Sequence, residues 1–319
     1  MKGLRPSAAR SICGLPDHDC LEKLFAAINE PERIAENLVW YGEEERSLAS
    51  NRTRILGGVN GLFFCLVVLR TGLPVVTVSS LFGVGQTTGG NAFNTWVAFL
   101  SGALSPFVRL PRVDEVWGSE TGPTAPVAWL RKGMGRVVIV LDATEIETVR
   151  VWHTDLAYYL YSTYKHRPTG KLLVGVTTHG AICFVSQLYG GRISDTELVN
   201  RSGVIQDLVD RGFGAAKHFQ VMADRGFDGI GIQLLAAGMS LVKPPGSRVG
   251  EEQFLSADSR YTSEVANLGI HVERAIGALK QWKICEHKFS TVRMDTVSKA
   301  VGVCGALVDM LNEPFVSVK

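Results

Sequence analysis

The sequence predicts an α/β fold: a mixed five-stranded sheet with flanking helices, preceded by a small all-helical domain. Two observations predict it. From residue 136 on, short β-branched apolar runs alternate with segments of helical periodicity, beginning with Val137–Leu141 (VVIVL), a continuous run of the kind a buried strand shows. Before that, residues 55–105 carry apolar segments punctuated by Gly72, Pro74 and Gly83, which read as helices with glycine-marked ends.

Length and composition set the frame. A chain of 319 residues fits two modules, or one large module with an arm. Hydrophobic residues at 46% and charged residues at 20% are ordinary for a globular protein with a sizeable core. The net charge of +2 neither demands nor excludes nucleic acid, so any basic surface has to be local. The six cysteines form no C-x-x-C pair and, with the histidines, no zinc-ligand spacing, so they read as buried free thiols of an intracellular protein. The longest apolar run, Gly61–Leu69, stops at Arg70 and is too short for a bilayer. With no signal-like N-terminal segment, the expectation is a soluble protein with no membrane partner.

In order, residues 1–54 read as an N-terminal arm with one or two helices, broken by Pro6, Pro16 and Pro31; the charge run Glu43–Arg46 reads as a solvated helix face. Within residues 55–105, Leu62–Arg70 ends at Gly72 and Pro74, Val75–Phe82 ends at Gly83, and a third segment runs from Gln86 through Trp96 to Leu100. Three short helices with such turns fit a helix-turn-helix-like domain; a small helical bundle fits the spacing equally. Residues 106–135, with four prolines, read as a linker.

Residues 136–312 read as the main domain, with 313–319 as a tail. After Val137–Leu141 come strands at Lys171–Thr178 and Ala181–Tyr189, joined through His179-Gly180. Ser194-Asp195-Thr196-Glu197 is a capping box that opens a helix. A fourth strand at His218–Ala223, a helix at Gly231–Ala237 ended by Gly238, and a fifth strand at Ser240–Lys243 follow. A long helix from Thr262 to about Trp282 carries Val265, Leu268, Val272, Ile276 and Leu279 as one stripe. The order β-β-β-α-β-α-β-α is that of an RNase H-like fold.

Such a fold would bring three acids together. Asp142 ends the first buried strand, Asp224 ends the fourth, and Glu273 lies on the long helix. They are 82 and 49 residues apart in sequence, so only tertiary folding can unite them. Phosphodiester cleavage needs an activated water and a stabilised leaving oxygen, and two divalent ions about 3.5–4 Å apart supply both. Mg²⁺ or Mn²⁺ prefers hard oxygen ligands. Taken singly, each acid has a bland reading as well: a strand-end Asp caps a turn, and a helix Glu is solvated.

The strings around these acids go further. LDATEIE (141–147), YSTYKHRPTGKLLVGV (161–176), FVSQLYGGRISD (184–195), VMADRGFD (221–228) and IHVERAIGALKQWKI (270–284) resemble, in order and interval, the DDE superfamily endonuclease domain of Harbinger-type transposases. Weaker resemblance reaches back to about residue 55 and on to about Asn312. The resemblance implies an RNase H-like core and a DDE transposase, or an endonuclease derived from one. It implies metal ligation and catalysis by Asp142, Asp224 and Glu273 with Mg²⁺ or Mn²⁺, DNA cleaved and joined at terminal inverted repeats, and a place in the nucleus. Lys165, Lys171 and Lys280 match basic positions of the family and become candidate DNA contacts. Asp195 matches a further acid, read here as stabilising the helix dipole; Glu145 and Asp228 are reserve ligands. The resemblance leaves room for a homo-oligomer and for a separate partner that supplies DNA recognition.

Two departures stand out. Gly269 replaces the usual Arg just before the IHVER string. The stretch resembling a recognition segment reads GVGQTTGGN (83–91), with no Lys or Arg between Arg70 and Arg109, so the phosphate term of DNA binding is largely absent there. No Cys/His pattern for an N-terminal zinc-bound module is present either. The alternative reading is therefore a domesticated, non-catalytic DNA- or protein-binding module that keeps the transposase fold.

Overall fold

The computed structural model describes residues 5–29, 38, 55–118, 122–123, 125–126, 129–130, 133–214, 218–243 and 269–311. The charge run Glu43–Arg46, the start of the long helix expected at Thr262 and the tail 313–319 lie outside the described residues. The chain divides into two units, a helical one from Met1–Phe107 with Ala278–Leu311, and a sheet-bearing one over Val108–Gly277.

The helical unit holds α1 (Pro6–Cys13), α2 (His18–Asn29), α3 (Gly58–Thr71), α4 (Val75–Leu81) and α5 (Gln86–Ala103). A further helix, Met294–Leu311, packs with them. Helix α3 buries Leu62, Phe64, Cys65, Leu66, Val67, Val68 and Leu69. A helix apolar on all sides is a central one. Gly72, at φ 63, closes it in the left-handed conformation that glycine adopts freely. The turns fall where the glycines put them, and residues 55–105 contain no strand. Gly89 has a packing reason: a Cβ there would lie 1.8 Å from the Ser79 Oγ of α4. Close crossing of α4 and α5 needs a bare backbone at that point.

In the sheet unit, β1 (Trp117–Gly118) and β2 (Gly122–Pro123) form a small separate ribbon after the short helix α6 (Val113–Val116). The main sheet centres on β3 (Val137–Glu147). Helix α7 (Thr154–Leu160) and β4 (Tyr161–Ser162) lead to β5 (Arg167–Val176), which pairs antiparallel with β3. β6 (Ile182–Val185), β7 (Tyr189–Gly190) and β4 all pair with β5. After α8 (Asp195–Ser202) and α9 (Val204–Leu208), β8 (Gln220–Ala223) runs parallel to β3. α10 (Gly231–Ala236) then leads to β9 (Ser240–Val242), parallel to β8. The five longer strands lie in the order β6-β5-β3-β8-β9. The sheet has seven strands because two pieces of two residues each, β4 and β7, are added.

Two differences from the sequence reading have local causes. The third strand expected at Ala181–Tyr189 breaks in two at Ser186. There the Ser186 side chain accepts the Leu173 N–H at 2.9 Å, standing in for a backbone carbonyl. β3 runs on through Thr144-Glu145-Ile146-Glu147 because β5 pairs with it as far as Glu147 opposite Thr169. The parallel neighbour β8 stops at Ala223. The β3–β8 pairing also contains a bulge: Val137 faces Gln220 but Ile139 faces Val221, so Val138 is the extra residue. One face of this sheet buries Ile139, Leu141, Leu173, Val221 and Ala223 against Leu198, Leu208, Phe227 and Leu234. Phe213 and Phe219 meet edge to face at 5.0 Å within that core.

Candidate active site

Register places the first two acids. Leu141 is paired with Ala223 on the parallel strands β3 and β8. Asp142 and Asp224 are each one residue further on, so they leave the sheet on the same face, about one strand spacing (~4.8 Å) apart. Asp142 lies mid-strand, at the level where its parallel neighbour ends. Asp224 caps the turn that follows β8: its Oδ1 accepts the Arg225 N–H at 2.7 Å. Asp142 Oδ1 likewise accepts the Ala143 N–H at 2.7 Å. In both carboxylates the second oxygen accepts no hydrogen bond from the described residues.

Glu273 is an exposed residue of the helix 269–280, here α11. Val272, Ala275 and Ile276 bury the opposite side of that helix, and His271 stacks on buried Trp129 at 6.1 Å within the sheet unit. Glu273 is close enough to Asp142 to repel its charge. The Asp142 carboxyl is pushed up to about 6, first by burial. The Ala143 N–H pulls the other way, and the charges of Asp224, Asp195 and Glu273 add to the rise.

Asp195 is the acid that the sequence reading assigned to the helix dipole alone. It is the first residue of α8, after a Ser194 cap whose Oγ accepts the Glu197 N–H at 3.2 Å. Its carboxylate also bridges Lys171 at 2.7 Å and presses on the turn after β8. A Cβ at Gly226 would lie 2.6 Å from Asp195 Oδ2, so the glycine of the ADRGF string makes room for this acid. The signal was in the sequence, since Asp195 and Gly226 sit in separate strings of the same resemblance. Only the tertiary crossing shows that they meet.

The basic candidates part company. Lys171 is largely enclosed, bonded to Asp195 and, at 3.2 Å, to the Ile193 carbonyl. Lys165 is exposed, its ammonium 4.7 Å above the Tyr164 ring. Lys280 ends α11 and falls in the helical unit. Of the reserve acids, Glu145 accepts hydrogen bonds from Ser162 Oγ at 3.1 Å and Thr169 Oγ1 at 2.7 Å, which ties β3 to β4 and β5. Asp228 is paired with Lys243.

Among the described residues, no three His, Cys, Asp or Glu side chains are grouped to hold one ion. The donor chemistry nonetheless suits a hard divalent cation: each aspartate keeps one oxygen without a hydrogen bond, and Glu273 projects from the neighbouring helix into solvent. Like charges crowd Asp142, and a cation would relieve that repulsion. No described helix is long and apolar enough to cross a membrane.

Compared with known proteins, the chain matches one family model, described as DDE superfamily endonuclease, over residues 141–309. That span is more than half of the 319 residues and contains Asp142, Asp195, Asp224 and Glu273. No curated protein and no solved structure matches. An endonuclease family of this kind implies a DNA substrate. On the family match, with the acids gathered on one sheet unit, the chain belongs to the DDE superfamily endonucleases.

Proposed function

We propose that this chain is a DDE transposase, or an endonuclease derived from one, that cuts DNA phosphodiester bonds and in the transposase case joins them. Asp142, Asp224 and Glu273 are its catalytic and metal-ligating residues, carried on an RNase H-like sheet, with Mg²⁺ or Mn²⁺ as cofactor. The observation that carries the reading is the register that sets Asp142 beside Asp224, with Glu273 within electrostatic reach. A Harbinger-type origin, terminal inverted repeats as the DNA target and a nuclear location belong to the same reading, which rests on the resemblance of the strings.

Asp142, Asp224 and Glu273 would hold two divalent ions, which would supply activation of the attacking water and stabilisation of the leaving 3′ oxygen. The chain's own residues prepare for this. The main-chain N–H groups of Ala143 and Arg225 each fix one oxygen of an aspartate and leave the other without a hydrogen bond from the described residues. Glu273, exposed on a helix anchored by buried neighbours, completes the set. Lys171 neutralises Asp195 and keeps a fourth negative charge from adding in full to the repulsion.

A second reading, the non-catalytic binding module, is favoured by one feature. The first turn of α5 exposes Gln86, Thr87 and Thr88 and carries no cation. Nicking of supercoiled plasmid in Mn²⁺ separates the two. The parent protein should nick, and Asp142→Asn, Asp224→Asn and Glu273→Gln should not. A parent that neither binds metal nor nicks would leave the binding module. Aspartate variants that nick like the parent would show the acids to be misassigned.

A further inference from the structure

Between β3 and β5 the chain makes an excursion that the active site does not use. Residues 149–167 contain five aromatic rings: Trp152, Tyr158, Tyr159, Tyr161 and Tyr164. Four of the chain's seven tyrosines are here, in a protein that is 8% aromatic. Folding does not bury them. Trp152 is 94% exposed, Tyr164 78% and Tyr158 61%. A ring left in water adds nothing to the core, so this concentration calls for a partner.

Cations are interleaved with the rings. Arg150, Lys165 and Arg167 against Asp155 give this stretch a net +2, equal to that of the whole chain. Arg192, from the segment after β7, adds another. Two of these cations already sit on rings, Arg192 at 3.6 Å over Tyr158 and Lys165 at 4.7 Å over Tyr164; Glu147 takes up part of Arg167. Tyr159 anchors the excursion. The Arg192 N–H donates to the Tyr159 carbonyl at 3.3 Å, and a Cβ at Gly190 would lie 2.5 Å from the Tyr159 ring, so the backbone packs directly on that ring.

Exposed rings alternating with cations match a polyanion whose own flat rings are free to stack. A duplex hides its base faces, whereas an unpaired strand offers them. We propose that residues 149–167, with Arg192, bind a DNA strand with unpaired bases, stacking bases on Trp152 and Tyr164 and holding phosphates with Arg150 and Lys165. The choice of DNA rests on the endonuclease reading; the ring-and-cation surface does not. The excursion leaves β3 after Glu147, five residues beyond Asp142, roughly 17 Å along the strand.

The test is fluorescence anisotropy of a short labelled single strand in EDTA, with the matching duplex and the same-sequence RNA as comparisons. The parent should prefer the DNA single strand. Trp152→Ala and Tyr164→Ala should each weaken single-strand binding about tenfold and leave duplex binding unchanged. Lys165→Ala should lower the salt slope on the single strand by about 0.7. These side chains are exposed, so loss of fold does not confuse the result. A double Trp152→Ala/Tyr164→Ala variant that binds the single strand like the parent overturns the proposal, as does a parent that binds duplex or RNA more tightly. Ring-dependent binding by a parent that never nicks plasmid would sink the endonuclease reading and leave this surface standing. Nicking without ring-dependent binding would do the reverse.

Discussion

Replacing Asp142 by Asn should make the metal-free protein more stable at alkaline pH. The folded protein raises this carboxyl from its usual 3.8 to about 6. At 1.36 kcal/mol per pH unit, that is a penalty of up to about 3 kcal/mol on the ionised form. The sign follows from proton linkage. The folded state keeps the proton to higher pH than the unfolded chain does, so stability falls as pH rises from about 4 to about 6. Below that window the penalty is absent, and above it the penalty is complete. Asparagine keeps the size and carries no charge. Urea unfolding in EDTA should therefore show the variant ahead by up to about 3 kcal/mol near pH 8, with the difference closing near pH 4. Adding Mn²⁺ at about a hundred times its dissociation constant should restore about 2.7 kcal/mol to the parent and much less to the variant. A variant that is equal to or weaker than the parent near pH 8, or stronger by the same margin at both pH values, would mean that the charged Asp142 carboxylate does not cost the fold stability.

Two further outcomes follow from neighbouring contacts. Glu145→Gln keeps an acceptor for Ser162 or Thr169. It should nick plasmid at close to the parent rate while losing about 1 kcal/mol of stability, and loss of nicking would make Glu145 a ligand after all. Gly89→Ala adds a methyl where Ser79 Oγ already sits. Thermal unfolding should show a loss of about 1–3 kcal/mol, and an unchanged or raised Tm would mean that α4 and α5 do not need the close crossing.

Much of the architecture was legible because it follows from local rules. Glycine after an apolar run ends a helix, and Gly72 and Gly83 do so. A β-branched run is a buried strand, and Val137–Leu141 is one. Ser194 caps the helix that its capping box announces. What was not legible depends on partners distant in sequence. Glu145 and Glu147 look like a strand's end until β5 is seen to pair with them. Gly89 looks like a weak helix start until Ser79 is placed against it. The helix Thr154–Leu160 leaves no signature in the sequence, since its one fully buried residue is Leu160 and it shows no apolar stripe. For the site, Asp142 and Asp224 could be found as acids closing buried strands. Asp195 could be found only as a helix-dipole acid beside the Ser194 cap, because its approach to Gly226 is a crossing of two segments about thirty residues apart.

The bulge at Val138 has a consequence for how this domain can change over generations. Val137 faces Gln220, and an unbroken parallel ladder from that pair would set Asp142 level with Arg225. The extra residue moves the register by one, so Asp142 is level with Asp224 instead. Two acids are thus set level with each other, in place of an acid and an arginine, by a single inserted amino acid. Insertions or deletions of one residue between Val138 and Leu141, or between Val221 and Ala223, would undo that match or turn one acid to the other face of the sheet. Length changes between Leu208 and Gln220 would leave it intact. Lineages that keep the chemistry should vary freely in the second region and not at all in the first, and a relative that has lost a residue at the bulge should be recognisable as inactive from that gap alone, even with every acid in place.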